Sequence, residues 1–295
     1  MSKRDKGGRL EFVPPQIPTL VEQPPEGDGW VHEAKFNGYR TQIIVDRGGV
    51  RLYTKNGYDC TAIYWPIGLA AEMLPCRVAI LDGEVIVTDQ RGAPDFNALS
   101  VTIGNEPSRL AFVAFDLLHL DGRNLCPLPL IERKQALRQL VGPGVGKIQF
   151  SEHFEGDASA IFRAVETMGL ESIVSKRADS RYQSGQSNTW LKTKYFEEAD
   201  FELLGVVRES GTAPMALMAT HDGERRYVGN AVIALNESVR DRLWQRIKKM
   251  AGPPPKGLEK PGAQWVKPGL VGRVRFLKGE GPLRHATLKD VRRED

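Results

Sequence analysis

A lysine can act as a nucleophile only when its amine is neutral, so its site must be partly desolvated or ringed by other cations. The run Glu33-Ala34-Lys35-Phe36-Asn37-Gly38-Tyr39-Arg40 sets one lysine between apolar neighbours, just before a glycine that permits a tight turn. In Ile80-Leu81-Asp82-Gly83-Glu84-Val85-Ile86-Val87, strand periodicity puts Ile80, Asp82, Glu84 and Ile86 on one face. Two carboxylates bracketed by isoleucines need a cation or hydrogen-bond donors, and a divalent metal would serve. Phe112-Val113-Ala114-Phe115-Asp116-Leu117-Leu118 is an apolar strand with one acid. An aromatic ring such as Phe115 there either fills a core or stacks on a nucleobase. Glu171-Ser172-Ile173-Val174-Ser175-Lys176-Arg177 opens on an acid and ends on two cations. In Trp190-Leu191-Lys192-Thr193-Lys194, the two lysines share a strand face and repel unless an anion such as a phosphate lies between them. Each segment alone also fits an ordinary hairpin or core strand. Their order along one chain is what carries information.

The elements that must position these residues follow from pattern. Residues 1–29 read as an arm, because Pro14-Pro15, Pro18 and Pro24-Pro25 disfavour helix and interior strand. Strands are predicted over 39–46 and 50–54, joined at Arg47-Gly48-Gly49, and over 77–88, 110–118, 170–177 and 189–194. Helices are predicted over 67–74, 129–141 and 158–168. In the second, Ile131, Lys134, Leu137 and Leu140 recur at helical spacing. After Glu197-Glu198 the texture becomes short, β-rich and Gly-punctuated. Strands are expected over 200–207, 215–220, 225–234 and 271–277. One helix follows Asn236, with Val239, Leu243, Ile247 and Met250 as its apolar stripe. The fold class is α+β: a mostly antiparallel domain over 30–197, then a small OB-type barrel over 198–295.

The chain has 295 residues, 41% apolar and 26% charged, a globular rather than a disordered composition. No run of apolar residues is long enough to span a membrane, and no secretory h-region follows the basic start. Three scattered cysteines form neither a disulfide framework nor a metal spacing, which points to a reducing cytoplasm. Net charge is only +4, yet residues 200–295 carry 18 Lys and Arg against 12 Asp and Glu. That basic third is suited to a polyanion.

The ordered series of Lys-x-Asn-Gly with its arginine, Asp-Gly-Glu, Phe-Asp, Glu-x-Ile-Val-x-Lys, Trp-Leu-Lys-x-Lys and a basic barrel resembles the motif series of ATP-dependent DNA ligases. Phe12-Val13-Pro14-Pro15-Gln16, residues 24–30 and Gly281-Pro282-Leu283-Arg284-His285 are similar to segments of the ligase module of bacterial ligase D, the end-joining enzyme. The resemblance covers nearly the whole chain. It implies ATP and Mg2+ or Mn2+ as cofactors, AMP carried covalently on Lys35, and nicked duplex DNA as substrate. Glu33 would lie beside the adenine and Phe115 would stack on it. Arg40 and Glu84 would face ribose and phosphates, and Glu84 and Glu171 would stand on the metal side. Lys192 and Lys194 would hold the α-phosphate, with Lys176 a weaker addition. Arg40 and Lys55 would also meet nucleic acid. The resemblance further implies a cytoplasmic monomer, with Ku as a candidate partner.

The sequence departs from the family's pattern in several places. Asn37 stands for the usual aspartate and keeps the acceptor oxygen without the charge. Ser172 stands for a glycine, and Lys55 for an arginine, losing the bidentate fork. At 291–295 the family's last lysine is missing, with Arg292 or Arg293 as the matching arginine. Those departures keep two alternatives open: a catalytically impaired end-binding protein, and an RNA ligase or capping-type nucleotidyltransferase.

Overall fold

The computed structural model describes residues 9–89, 94–167, 170, 172–209, 211–277, 283 and 285–293. The chain divides into two compact units between Lys194 and Tyr195. The first unit runs β1 (Gln16–Val21), β2 (Trp30–Ala34), β3 (Tyr39–Asp46), β4 (Gly49–Thr54), α1 (Trp65–Glu72), β5 (Ala79–Ile86), α2 (Phe96–Asn105), β6 (Ala111–Leu120), β7 (Arg123–Asn124), α3 (Leu130–Val141), β8 (Ile148–Phe150), α4 (Ala158–Thr167), β9 (Ser172–Arg177) and β10 (Gly185–Lys194). The second runs β11 (Phe196–Val207), β12 (Met215–Ala219), β13 (Tyr227–Ile233), α5 (Glu237–Lys249), β14 (Ala263–Trp265), β15 (Leu270–Leu277) and β16 (Thr287–Arg293).

Two sheets build the first unit. One has the order β4-β3-β5-β6-β7, with β8 also on β6, and the other the order β1-β10-β9-β2. The first sheet and its helices close over a core that includes Ile43, Leu52, Leu81, Phe112 and Leu137. A smaller cluster gathers Val31, Ile44, Ile80, Leu118, Tyr182 and Trp190, drawing residues from both sheets. The hairpin of β3 and β4 forms where expected, with Gly49 at positive φ closing it.

The proline-rich lead-in differs from its expected form. Gln16–Val21 is a strand, running parallel to β10 at the edge of its sheet, and the register slips between Pro18 and Thr19. An edge with a bulge is where a sheet tolerates a residue that cannot donate. Helix α2 was also not expected. Its sequence carries Thr102, Val101 and Gly104, all poor helix formers, but Asp95 caps it by accepting from the Ala98 amide at 2.9 Å.

In the second unit, β11 pairs with both β12 and β15, while β13 and β16 complete the circuit. That closes a five-stranded barrel with one helix after its third strand, an OB-type arrangement. Asn236 caps α5 by accepting from the Val239 amide at 3.0 Å, and Leu243 and Ile247 turn inward.

The fully buried pair of Arg133 on α3 and Asp116 on β6 fastens helix to sheet. Nε and Nη2 of the guanidinium each donate to the carboxylate at 2.8 Å, and Nη1 donates to the carbonyls of Leu128 and Ser180. Removing one partner of such a pair leaves the other charge buried alone. Asp116→Asn is therefore expected to lose about 3–5 kcal/mol in urea unfolding, whereas Asp179→Asn, which breaks an exposed pair with Arg177, loses under about 1 kcal/mol.

Candidate active site

Lys35 sits in the turn between β2 and β3. Its amide donates to the Ser172 carbonyl at 2.9 Å, which pins the turn to the start of β9. Its ammonium donates to the Phe36 carbonyl at 3.0 Å and to Asn37 Oδ1 at 3.1 Å. Gly38 makes this turn possible. A Cβ there would lie 2.2 Å from the Val85 carbonyl oxygen and 2.9 Å from Cγ of Glu84. The glycine thus lets the lysine turn rest directly on β5, beside Glu84.

A cavity of about 250 Å³ opens above this turn. Lys35, Glu33, Arg40, Glu84, Phe115 and Lys192 line it, and so do Lys55 and Lys176. The structure therefore brings eight of the sequence-predicted site residues to one place. Lys194 lies two residues beyond Lys192, opposite Ser172 in the β10–β9 register, and is not among the lining residues. Glu171 lies outside the described residues.

The floor of the cavity is electrostatic. Glu33, 3% exposed, receives Lys134 Nζ at 2.9 Å and Lys176 Nζ at 2.8 Å on one oxygen, and the Ser151 hydroxyl at 3.1 Å on the other. Burial by itself would raise the Glu33 carboxyl, but Lys134 and then Lys176 outweigh it and hold the group below its ordinary value. Burial pushes Lys176 down to about 8 against the pull of Glu33. Its Nζ lies 4.6 Å from the Phe115 ring centre and 4.2 Å from that of Trp190.

One wall is Arg40. Its guanidinium grips Asp82 with two bonds, of 3.1 and 2.6 Å, and donates to the Gln16 carbonyl at 2.6 Å. Tyr182 donates its hydroxyl to the same Asp82 at 2.7 Å. The two acids that share a strand face thus have different surroundings. Asp82 is 1% exposed and neutralised by Arg40. Glu84 faces the cavity and is pushed up to about 7, chiefly by burial, with Lys35 and then Arg40 pulling the other way. On the opposite side, burial and the nearby Lys35 charge push the Lys192 ammonium down.

Among the described residues, no group of three or more His, Cys, Asp or Glu side chains converges. Glu84 supplies a half-buried carboxylate, a hard oxygen ligand, at the cavity wall. That suits Mg2+, which uses one or two carboxylates and takes its remaining ligands from water and phosphate.

Lys134 and Trp190 were not expected as site residues. Lys134 had a visible signal, a lysine at the helical spacing of an apolar face, where a charge must find a partner. Trp190 makes T-shaped contacts with Phe115 and Tyr182 at 6.1 and 6.0 Å, backing the ring that faces the cavity. Nothing in its motif distinguished that role from core packing.

Two sheets meeting over a half-buried lysine turn, with an OB-type barrel following, define the nucleotidyltransferase architecture. Residues 15–194 match the ATP dependent DNA ligase domain. The chain is 32% identical to the multifunctional non-homologous end joining protein LigD of Pseudomonas aeruginosa, over 96% of this chain and 36% of that protein. It is 31% identical to the multifunctional non-homologous end joining DNA repair protein LigD of Mycobacterium tuberculosis, over 89% of this chain and 36% of that one. A solved mycobacterial DNA ligase D complexed with ATP and MES superposes with a TM-score of 0.62 at 29% identity, covering 97% of each chain. The chain belongs to the ATP-dependent DNA ligase family. It spans about a third of the length of these two curated relatives.

Two outcomes follow from the geometry. Gly38→Ala forces the lysine turn off β5, an overpacking expected to destabilise by about 1–3 kcal/mol in thermal or urea unfolding. The depressed Glu33 carboxyl contributes stability that is complete above the ordinary carboxylate range and is lost as pH falls through it. Urea midpoints measured from about pH 3 to about pH 7 are expected to fall less steeply on the acid side in Glu33→Gln than in the parent.

Proposed function

We propose that this chain seals 5′-phosphate/3′-hydroxyl nicks in duplex DNA through AMP carried on Lys35. The observation that carries the reading is a lysine turn braced on a carboxylate, with a second lysine and an aromatic face around the same cavity. In the first step the Lys35 nitrogen attacks the α-phosphorus of ATP. The nitrogen–phosphorus bond forms, the bond to pyrophosphate breaks, and Nζ gives up a proton. AMP then passes to the 5′-phosphate, and the 3′-hydroxyl displaces it to close the strand. A covalent carrier divides one difficult condensation into smaller barriers.

The side chains suit these roles. Phe115, backed by Trp190, offers a face for the adenine, and the ionised Glu33 offers an acceptor at the floor. Lys192 meets the α-phosphate. Lys194 joins it from farther along the strand. Asn37 accepts from Lys35 without carrying a negative charge of its own. Arg40 brings one edge of a guanidinium already ordered by Asp82, and Lys55 offers an exposed cation to nucleic acid. Glu84, with Glu171, would hold Mg2+ or Mn2+, which neutralises charge developing on the phosphates.

In this reading, 30–197 is the adenylation domain and 198–295 the OB domain that grips DNA through its positive charge. The end-joining names of the relatives support a role in DNA repair, with a Ku-type end-binding protein as the proposed partner.

Incubation with ATP and Mg2+ followed by intact mass measurement is expected to show one added AMP. Lys35→Ala should keep the parent's melting temperature, take up no AMP, and still seal some of a chemically pre-adenylated nick. AMP attached to the alanine variant would refute the assignment of Lys35.

A further inference from the structure

Two buried ammonium groups meet one buried carboxylate under the cavity, and only one of the two lines it. Lys134, 1% exposed, sits on α3 beside Arg133, whose buried pair with Asp116 already fastens that helix to β6. Lys134 is not among the residues that line the cavity, so it acts there through the groups it holds. A methionine of similar length would fill the same place against the Phe150 ring, whose centre is 4.6 Å from Nζ, without desolvating an ammonium. Packing and fastening therefore do not account for the charge.

The hydrogen bonds of the cluster show what is used and what is left. Lys134 Nζ donates to Glu33 Oε1 and to the Ser151 carbonyl, both at 2.9 Å. The Ser151 hydroxyl donates to Glu33 Oε2 at 3.1 Å. Lys176 Nζ lies 2.8 Å from Glu33 Oε1 as an ion pair, yet it makes no hydrogen bond with any described residue, because the contact is off the bonding angle. A carboxylate has about four acceptor positions and an ammonium has three donors. Glu33 thus keeps acceptor capacity and Lys176 keeps donors, and both line the cavity.

An acceptor beside a donor matches a ligand edge that offers a donor beside an acceptor. Adenine has such an edge, an amino group next to a ring nitrogen. Guanine puts a carbonyl oxygen where the amino group stands, which would set acceptor against acceptor. The match needs an ionised Glu33, since a protonated carboxyl would present a donor of its own. Burial pushes that carboxyl up, and the Lys134 charge is the largest of the pulls that hold it down.

We propose that Lys134 is a positioning residue for nucleotide choice, holding Glu33 so that it accepts from the amino group of adenine while Lys176 donates to the neighbouring ring nitrogen. The inference rests on the proposed use of ATP at this cavity, but on no step of the transfer to Lys35.

The test uses the full chain and calorimetric binding in EDTA, with two probes: ATP, and purine riboside triphosphate, which lacks only the amino group. The parent should bind ATP about 10- to 100-fold more tightly than the second probe, the range for a hydrogen bond to a charged acceptor. Lys134→Met should cut that preference about tenfold, the difference between a charged and a neutral hydrogen bond, by weakening ATP alone. Lys134→Gln, which keeps a donor without the charge, should cut it less. Leu137→Ala, which loosens the same helix from a fully buried position, should lower the melting temperature and keep the parent's preference. A ratio of affinities on one preparation does not depend on the folded fraction; where Lys134→Met fails to fold, Lys134→Gln decides.

The positioning role is overturned if the parent shows no preference for ATP, or if the Lys134 variant weakens both probes alike. It is also overturned if Leu137→Ala lowers the preference as much, because Lys134 would then serve packing alone. AMP uptake from ATP and Mg2+ separates this inference from the sealing reading. A parent that takes up no AMP but shows a Lys134-dependent preference refutes sealing and leaves the positioning role standing. A parent that takes up AMP with a preference independent of Lys134 refutes the positioning role alone.

Discussion

The Glu33 carboxylate, held between two buried lysines, is the interaction on which the site depends. Glu33 belongs to β2, the strand that delivers Lys35. Lys176 belongs to β9 in the same sheet, while Lys134 belongs to α3, which packs on β6 of the other sheet. One carboxylate thus joins the two sheets immediately below the cavity. A second tie runs in parallel, through Arg40 on β3, Asp82 on β5, and Tyr182 and the Gln16 carbonyl on the other side. Removing water from five charges is expensive, and an apolar core of equal volume would often be as stable. What apolar packing could not supply is a floor of fixed, ionised donors and acceptors facing a polar ligand.

The same cluster explains how a cation-rich cavity holds together. Around Lys35 stand Lys192, Lys176, Arg40 and Lys55, all lining the same space. Arg40 and Lys176 have their charge balanced by Asp82 and Glu33. Lys192 is left to feel both burial and Lys35, which is why its ammonium is pushed down. The imbalance is concentrated beside Lys35, where it attracts an anion. Asn37 fits this arrangement. An aspartate at its position, 3.1 Å from Nζ, would return the negative charge that the surroundings withhold.

Much of this was legible in the sequence, and the part that was not has physical causes. Lys35, Glu84, Phe115 and Lys192 stand in segments whose period and residue types already marked them, and β3, β4, α3 and α5 follow from spacing and caps. The β1 strand was hidden because proline content argues against strands in general, and only its edge position and bulge make it permissible. Helix α2 was hidden because its stability comes from a cap and tertiary contact rather than propensity. Lys134 was visible as an anomaly in an apolar stripe, but its partner lies 101 residues away in sequence. Pairing at that range is a property of the fold and leaves no local pattern.

The division of charge between the units gives the last constraint. Residues 1–199 carry 23 basic and 25 acidic side chains, so the unit that holds the cavity is nearly neutral, and Arg40, Lys134 and Lys176 are paired there with buried carboxylates. The surplus lies in the barrel unit, on exposed arginines and lysines of α5 and β16. A buried, paired cation is screened little by salt and sets local pKa values, whereas an exposed one is screened over about 10 Å and governs encounter with a polyanion. The two kinds of charge thus belong to separate units, so exposed cations can be added to the barrel without adding charge to the lining of the cavity around Lys35. In a single shared site, every cation added for affinity would also shift the lysine amine.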